Sequence, residues 1–120
     1  MLCNVTIKGA KDAEEVSSKG ELTFTNNGFD LNYSIADDRC LLSARGTTVT
    51  QSRRGSVEMD ITFAKGKNTI CMLLSGELTG GIPVKTIALD IIKAEDGVSV
   101  TIEYFLGGAK IFLSLTAFVI

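Results

Sequence analysis

The side chains that could do chemistry are few, and none stands at a spacing that names a reaction. There is no histidine in 120 residues, which removes Ser-His-Asp and Cys-His nucleophilic arrangements, the commonest general base and the favoured transition-metal ligand. Paired carboxylates could still run acid–base chemistry. Glu58 and Asp60 alternate onto one strand face, roughly 7 Å apart by strand rise, but apolar residues hold the positions between them, which makes theirs a solvated outer face. Asp37 with Asp38 and Glu95 with Asp96 fall at turns, where carboxylates cap backbone amides. Cys3, Cys40 and Cys71 lack CxxC spacing and lie in alternating apolar segments, so they read as reduced core thiols and not as metal ligands. Gly76, Gly80 and Gly81 are not followed by Gly-Lys-Ser/Thr or by a helix, which excludes a phosphate loop; glycines there suit the sharp bends of a closing sheet.

What remains is a set of residues that could hold a ligand: Arg53, Tyr104, Tyr33 and Arg45, with Arg54 beside the first. An arginine near a barrel mouth can clamp a carboxylate or phosphate, and a tyrosine offers a hydroxyl beside an apolar wall. Each also has a structural explanation, since arginines are common at exposed hairpin turns and tyrosines belong naturally to strands.

The elements that must position these residues are strands. The chain is 45% apolar and 22% charged with a net charge of -2, which is ordinary for a globular chain, and its length fits one domain over residues 1–120. Alternation with a period of two places Leu22 with Phe24; Phe29, Leu31, Tyr33 and Ile35; Val57, Met59, Ile61 and Phe63; and Val98, Val100, Ile102, Tyr104 and Leu106 on buried faces. Turn signals separate them at Asn27-Gly28, Ala36-Asp37-Asp38, Gly46, Arg54-Gly55, Gly66-Lys67-Asn68, Asp96-Gly97 and Gly107-Gly108, the Asn-Gly and Asp-Gly pairs suiting the positive φ of tight hairpins. An all-β antiparallel meander of about eight to ten strands, closing into a barrel, is the simplest topology. Residues 9–19 read as a polar edge strand. Thr69–Leu74, Ile82–Ile92 and Ile111–Ile120 carry apolar residues on both faces, and an apolar outer face implies a cover, such as a second copy of the chain.

Composition excludes several partners. Arg53 and Arg54 are the only adjacent basic pair, too little for the nucleic acid backbone. No apolar run reaches the length of a membrane helix, and no signal peptide opens the chain, so a cytoplasmic location is expected.

The segment Arg53-Arg54-Gly55-Ser56-Val57-Glu58-Met59, running to Phe63-Ala64-Lys65-Gly66, resembles the YwiB-like family, bacterial proteins of unknown function described as calycin-like β-barrels. Asn27-Gly28-Phe29 with Tyr33, Gly81-Ile82-Pro83-Val84 with Thr86, and Ile102-Glu103-Tyr104 before a final apolar strand support it. At Cys71 and Met72 the chain departs from the aromatic residue that relatives often carry. The resemblance implies a lipocalin-like fold whose barrels commonly hold a small molecule, and it carries no assigned functional residue. The expectation is therefore a non-enzymatic barrel that binds a small apolar or amphipathic molecule, needing no cofactor or metal. The alternative is a structural or interaction barrel acting through a homodimer or partner interface.

Overall fold

The structure is a computed structural model that describes residues 1–9, 15–74 and 80–120. Its described residues form ten strands: β1 Leu2–Lys8, β2 Val16–Thr25, β3 Gly28–Ile35, β4 Asp38–Arg45, β5 Thr48–Arg54, β6 Met59–Ala64, β7 Asn68–Leu73, β8 Gly80–Ala94, β9 Gly97–Leu106 and β10 Ala109–Val119. Each pairs antiparallel with its sequence neighbours, and β10 returns to β1 through Cys3↔Val119 to Lys8↔Ser114, which closes the barrel. Odd-numbered strands run toward one end, called here the arginine end because β5 finishes there at Arg53 and Arg54. Even-numbered strands run toward the other, the lysine end, where β8 finishes near Lys93.

The alternating pattern read from the sequence is the pattern of burial. Phe29, Leu31 and Tyr33 on β3 and Val98, Val100, Ile102 and Tyr104 on β9 all lie in the core, together with Leu22, Leu42, Val49, Phe63, Val84 and Leu115. The three cysteines are free and buried among them.

Four local expectations are corrected. Residues 9–19 do not make an edge strand: residues 10–14 lie outside the described residues, and from Val16 the chain is already in β2, paired to β1 along Val16↔Ile7 to Glu21↔Leu2, inside a closed ladder. The strand expected from Val57 begins at Met59, because Val57 donates its amide to Asp38 and sits exposed in the preceding loop. The two-sided look of Ile82–Ile92 comes largely from a β-bulge. The register moves from Thr86↔Tyr104 to Ala88↔Glu103, leaving Ile87 as the extra residue, so inward positions switch from Ile82, Val84 and Thr86 to Leu89 and Ile91. Lastly, Gly28 opens β3 and does not carry a positive φ; the hairpin turns at Asn26 and Asn27. Gly28 is required because a Cβ there would run into the Ala44 carbonyl of β4, as one at Gly97 would run into that of Ala117.

Candidate binding site at the arginine end

Burial of the inward side chains is graded along the barrel. On β1 the exposures of Cys3, Val5 and Ile7 are 0%, 1% and 9%, and on β9 those of Val100, Ile102 and Tyr104 are 0%, 0% and 9%. One inward position further along, Ile35, Leu106 and Ile111 are half-buried, as are Met59 and Ile82 at the starts of their strands. The barrel is thus densely packed through its middle, and a rim of half-buried apolar side chains, called here the mouth, surrounds its arginine end, as Phe24, Leu89, Ile91 and Val119 do at the lysine end.

Polar side chains stand in this mouth because they occupy inward strand positions. On β5, Gln51 and Arg53 follow Val49 at steps of two; on β4, Asp38 precedes Cys40 and Leu42 in the same phase. Arg53 donates from Nε to Asp38 Oδ2 at 2.7 Å. The Asp38 carboxylate also accepts from the Ser56 amide at 2.6 Å, the Ser56 hydroxyl at 3.0 Å and the Val57 amide at 3.2 Å. These bonds tie the β5–β6 loop down over the start of β4. Gly55 is obligatory in that loop: its φ is +151°, and a Cβ would strike the Asp38 carboxylate. The Ser56 amide first, then the Arg53 guanidinium, hold Asp38 ionised with its pKa lowered to about 2, against the opposing effect of burial.

Deeper in the mouth, Gln51 Nε2 donates to the Tyr33 hydroxyl at 2.7 Å. Burial, with Cys40 close by, pushes the Tyr33 hydroxyl far above its ordinary range, so it stays protonated and remains a donor. Tyr104 packs edge-on against Phe63 with ring centroids 4.7 Å apart, and burial raises its pKa as well. Burial likewise pushes the thiols of Cys3, Cys40 and Cys71 up, which keeps them from acting as nucleophiles. Among the described residues no cluster of three or more Cys, Asp or Glu side chains could hold a metal ion.

Of the four ligand candidates, Arg53, Tyr33 and Tyr104 therefore share the arginine end. Arg45 does not join them. It points outward where β4 meets β5 at the lysine end, and its guanidinium is spent on the Phe29 and Ala44 carbonyls and on Asp30. Arg54 faces outward too, gripping both oxygens of Asp60 at 2.9 and 3.0 Å, which removes Asp60 from any acid–base pair with Glu58. Gln51 and the inward-facing role of Asp38 escaped the sequence reading. A signal existed for both, since each falls in phase with buried apolar neighbours on its own strand.

The lysine end carries two surface clefts, of about 450 Å³ beside Phe24, Lys93 and Glu95 and of about 470 Å³ beside Gly46, Lys65, Leu89 and Asp90. Lys93 reaches across this end, donating to the Thr25 carbonyl at 2.9 Å and lying 5.1 Å from the Phe24 ring centroid. Its ammonium is thus engaged by the protein, and Glu95 and Asp90 add negative charge beside the clefts. That chemistry does not suit an anion site.

The architecture of the described residues is that of an up-and-down antiparallel barrel of ten strands. The chain belongs to the DUF1934 family, described as a domain of unknown function, which matches residues 2–114. The crystal structure of the ywiB protein from Bacillus subtilis is similar in fold, with a TM-score of 0.79 over 98% of this chain and 89% of that one at 18% identity. Both findings bear out the family resemblance read from the sequence. No curated protein matches the chain.

Proposed function

We propose that this protein is a non-enzymatic binding barrel that takes a small apolar or amphipathic molecule into the mouth at its arginine end. The observation that carries the reading is the make-up of this rim: inward apolar side chains that would complete a core, Ile35, Met59, Ile82, Leu106 and Ile111, stay half-exposed around the buried Tyr33 hydroxyl and the partly exposed Arg53 guanidinium. Apolar walls with a few fixed polar groups are what a small-molecule site consists of. The solid interior of Phe63, Ile102, Leu31 and their neighbours confines such a ligand to the mouth.

Titration with Nile red, a neutral apolar dye, tests this. The expected result is saturable fluorescence enhancement that is lost in an Ile82→Glu/Ile111→Glu double variant and kept in an Ile70→Glu variant, whose change lies on the outer face, all three proteins unfolding cooperatively. No enhancement, or equal enhancement in all three, would overturn it.

A second reading, a homodimer, has its own observation. Leu2 on β1, Phe118 on β10 and Ile120 just past β10, whose amide donates to the Leu2 carbonyl, are all exposed. The outer face there is less apolar than the sequence suggested, because Ser114 and Thr116 alternate with Phe112 and Phe118.

A further inference from the structure

We infer that the molecule taken at the arginine end is a compact monocarboxylate: one planar anionic group on a short apolar or aromatic body. The inference rests on the proposed function, because it assumes that the mouth is a ligand site, and adds the head group and the size.

The head group follows from how Arg53 is held. Its Nε is committed to Asp38, and Asp38 is saturated by Ser56 and Val57, so the guanidinium is fixed in orientation before any ligand arrives. Among the described residues its two terminal nitrogens have no hydrogen-bond partner, and its side chain is 23% exposed. An arginine with one edge pinned presents the other as a fork matched to the two oxygens of a carboxylate. Asp38 already balances the arginine's charge, and the neighbouring inward groups, Gln51, Tyr33 and Tyr104, are neutral. The site thus offers directed N–H donors and no net positive field, which is enough for one planar anionic group, whereas a polyanion would need further cations. The Tyr33 hydroxyl accepts from Gln51, which leaves its own proton to donate, so the mouth is rich in donors.

Size follows from the floor. Ile35 and Leu106 form the rim, and Tyr33 and Tyr104, two residues earlier on the same strands, are already buried. One strand repeat gives a depth of roughly 7 Å. Beneath lie Leu31, Phe63 and Ile102 with no exposure at all. A ring or a short branched chain fills such a space; a long lipid chain would have to displace the core.

The test is calorimetric titration of the full chain with benzoate, hexanoate, palmitate, hexylamine and hexanol. Benzoate and hexanoate are expected to bind at least about tenfold more tightly than hexylamine and hexanol, as a charge-assisted fork requires, with no gain from hexanoate to palmitate. Arg53→Gln is expected to lose the preference for acids while still enhancing Nile red, and Arg53→Lys, which keeps a cation beside Asp38, to show a reduced preference. Equal affinity for acid and amine, or affinity that climbs to palmitate, would overturn the inference while Nile red binding leaves the mouth in place as a site. Absence of both acid and dye binding to the parent protein would remove the inference together with the reading it rests on. If Arg53→Gln does not fold, the lysine variant and the ligand series decide the matter.

Discussion

Removing the charge of Asp38 tests what a buried carboxylate does at a strand start. Its pKa lies below that of an unfolded aspartate, about 2 against 3.8, so the folded state holds its proton less tightly than the unfolded one. The stabilisation is therefore complete above about pH 5 and is lost as pH falls through 4 toward 2. Denaturant midpoints measured at pH 7, 4 and 2 should fall steeply for the parent protein. Asp38→Asn should start lower at pH 7, since its neutral amide leaves Arg53 without its counter-charge, and should then fall less across the same range. Identical pH profiles for the two proteins would show that Asp38 does not hold the loop. Of this arrangement the sequence displays only half. A carboxylate capping amides near a turn is a local pattern and can be read from Asp37-Asp38, but the amides it caps belong to Ser56 and Val57, eighteen and nineteen residues away. No spacing rule reaches across two hairpins, and for the same reason the Asp38–Arg53 pair was out of view while Arg53 itself was not.

At the scale of the element, β8 shows why alternation can mislead. Fifteen residues with apolar side chains in both phases look like a strand buried on two sides, yet one inserted residue, Ile87, exchanges the faces halfway along. Deleting Ile87 would remove the bulge and join the two halves in a single phase, with Thr86 still opposite Tyr104, Ala88 still opposite Glu103, and Leu89 and Ile91 still inward. The deletion should therefore keep cooperative thermal unfolding, whereas an alanine inserted between Leu89 and Asp90, which turns Asp90 inward and Ile91 outward, should abolish it. A deletion protein that loses cooperative unfolding would mean that the bulge itself, and not the phase of the two halves, is required. The strands with uninterrupted alternation, β3 and β9 among them, were legible in advance because each residue's face follows from its neighbours. Turns were legible to within a residue, the Asn27-Gly28 signal marking the hairpin while assigning its glycine the wrong task. The mouth was the least visible feature, since sequence distinguishes inward from outward but not the middle of a barrel from its end.

For the whole molecule, the question is whether the barrel acts alone. Leu2, Phe118 and Ile120 are more than half exposed, and if they form a contact between copies, sedimentation velocity should show a dimer that Phe118→Glu dissociates. A monomer over the micromolar range, unchanged by the substitution, would dispose of the homodimer and leave the mouth as the working surface. The two readings separate cleanly, because Phe118 lies outside the wall near the lysine end and Arg53 lies inside the opposite one.

Closure of the ladder between β1 and β10 also has a kinetic side. The other strand pairings join neighbours in sequence, whereas Cys3 meets Val119 only after nearly the whole chain has been made. Bringing those ends together costs roughly 3 kcal/mol more in chain entropy than closing a short hairpin. The last rung is thus the natural bottleneck of folding. Until it forms, a nascent chain carries two unpaired strand edges at once, β1 and whichever strand has most recently emerged, and this is when the protein is most exposed to aggregation.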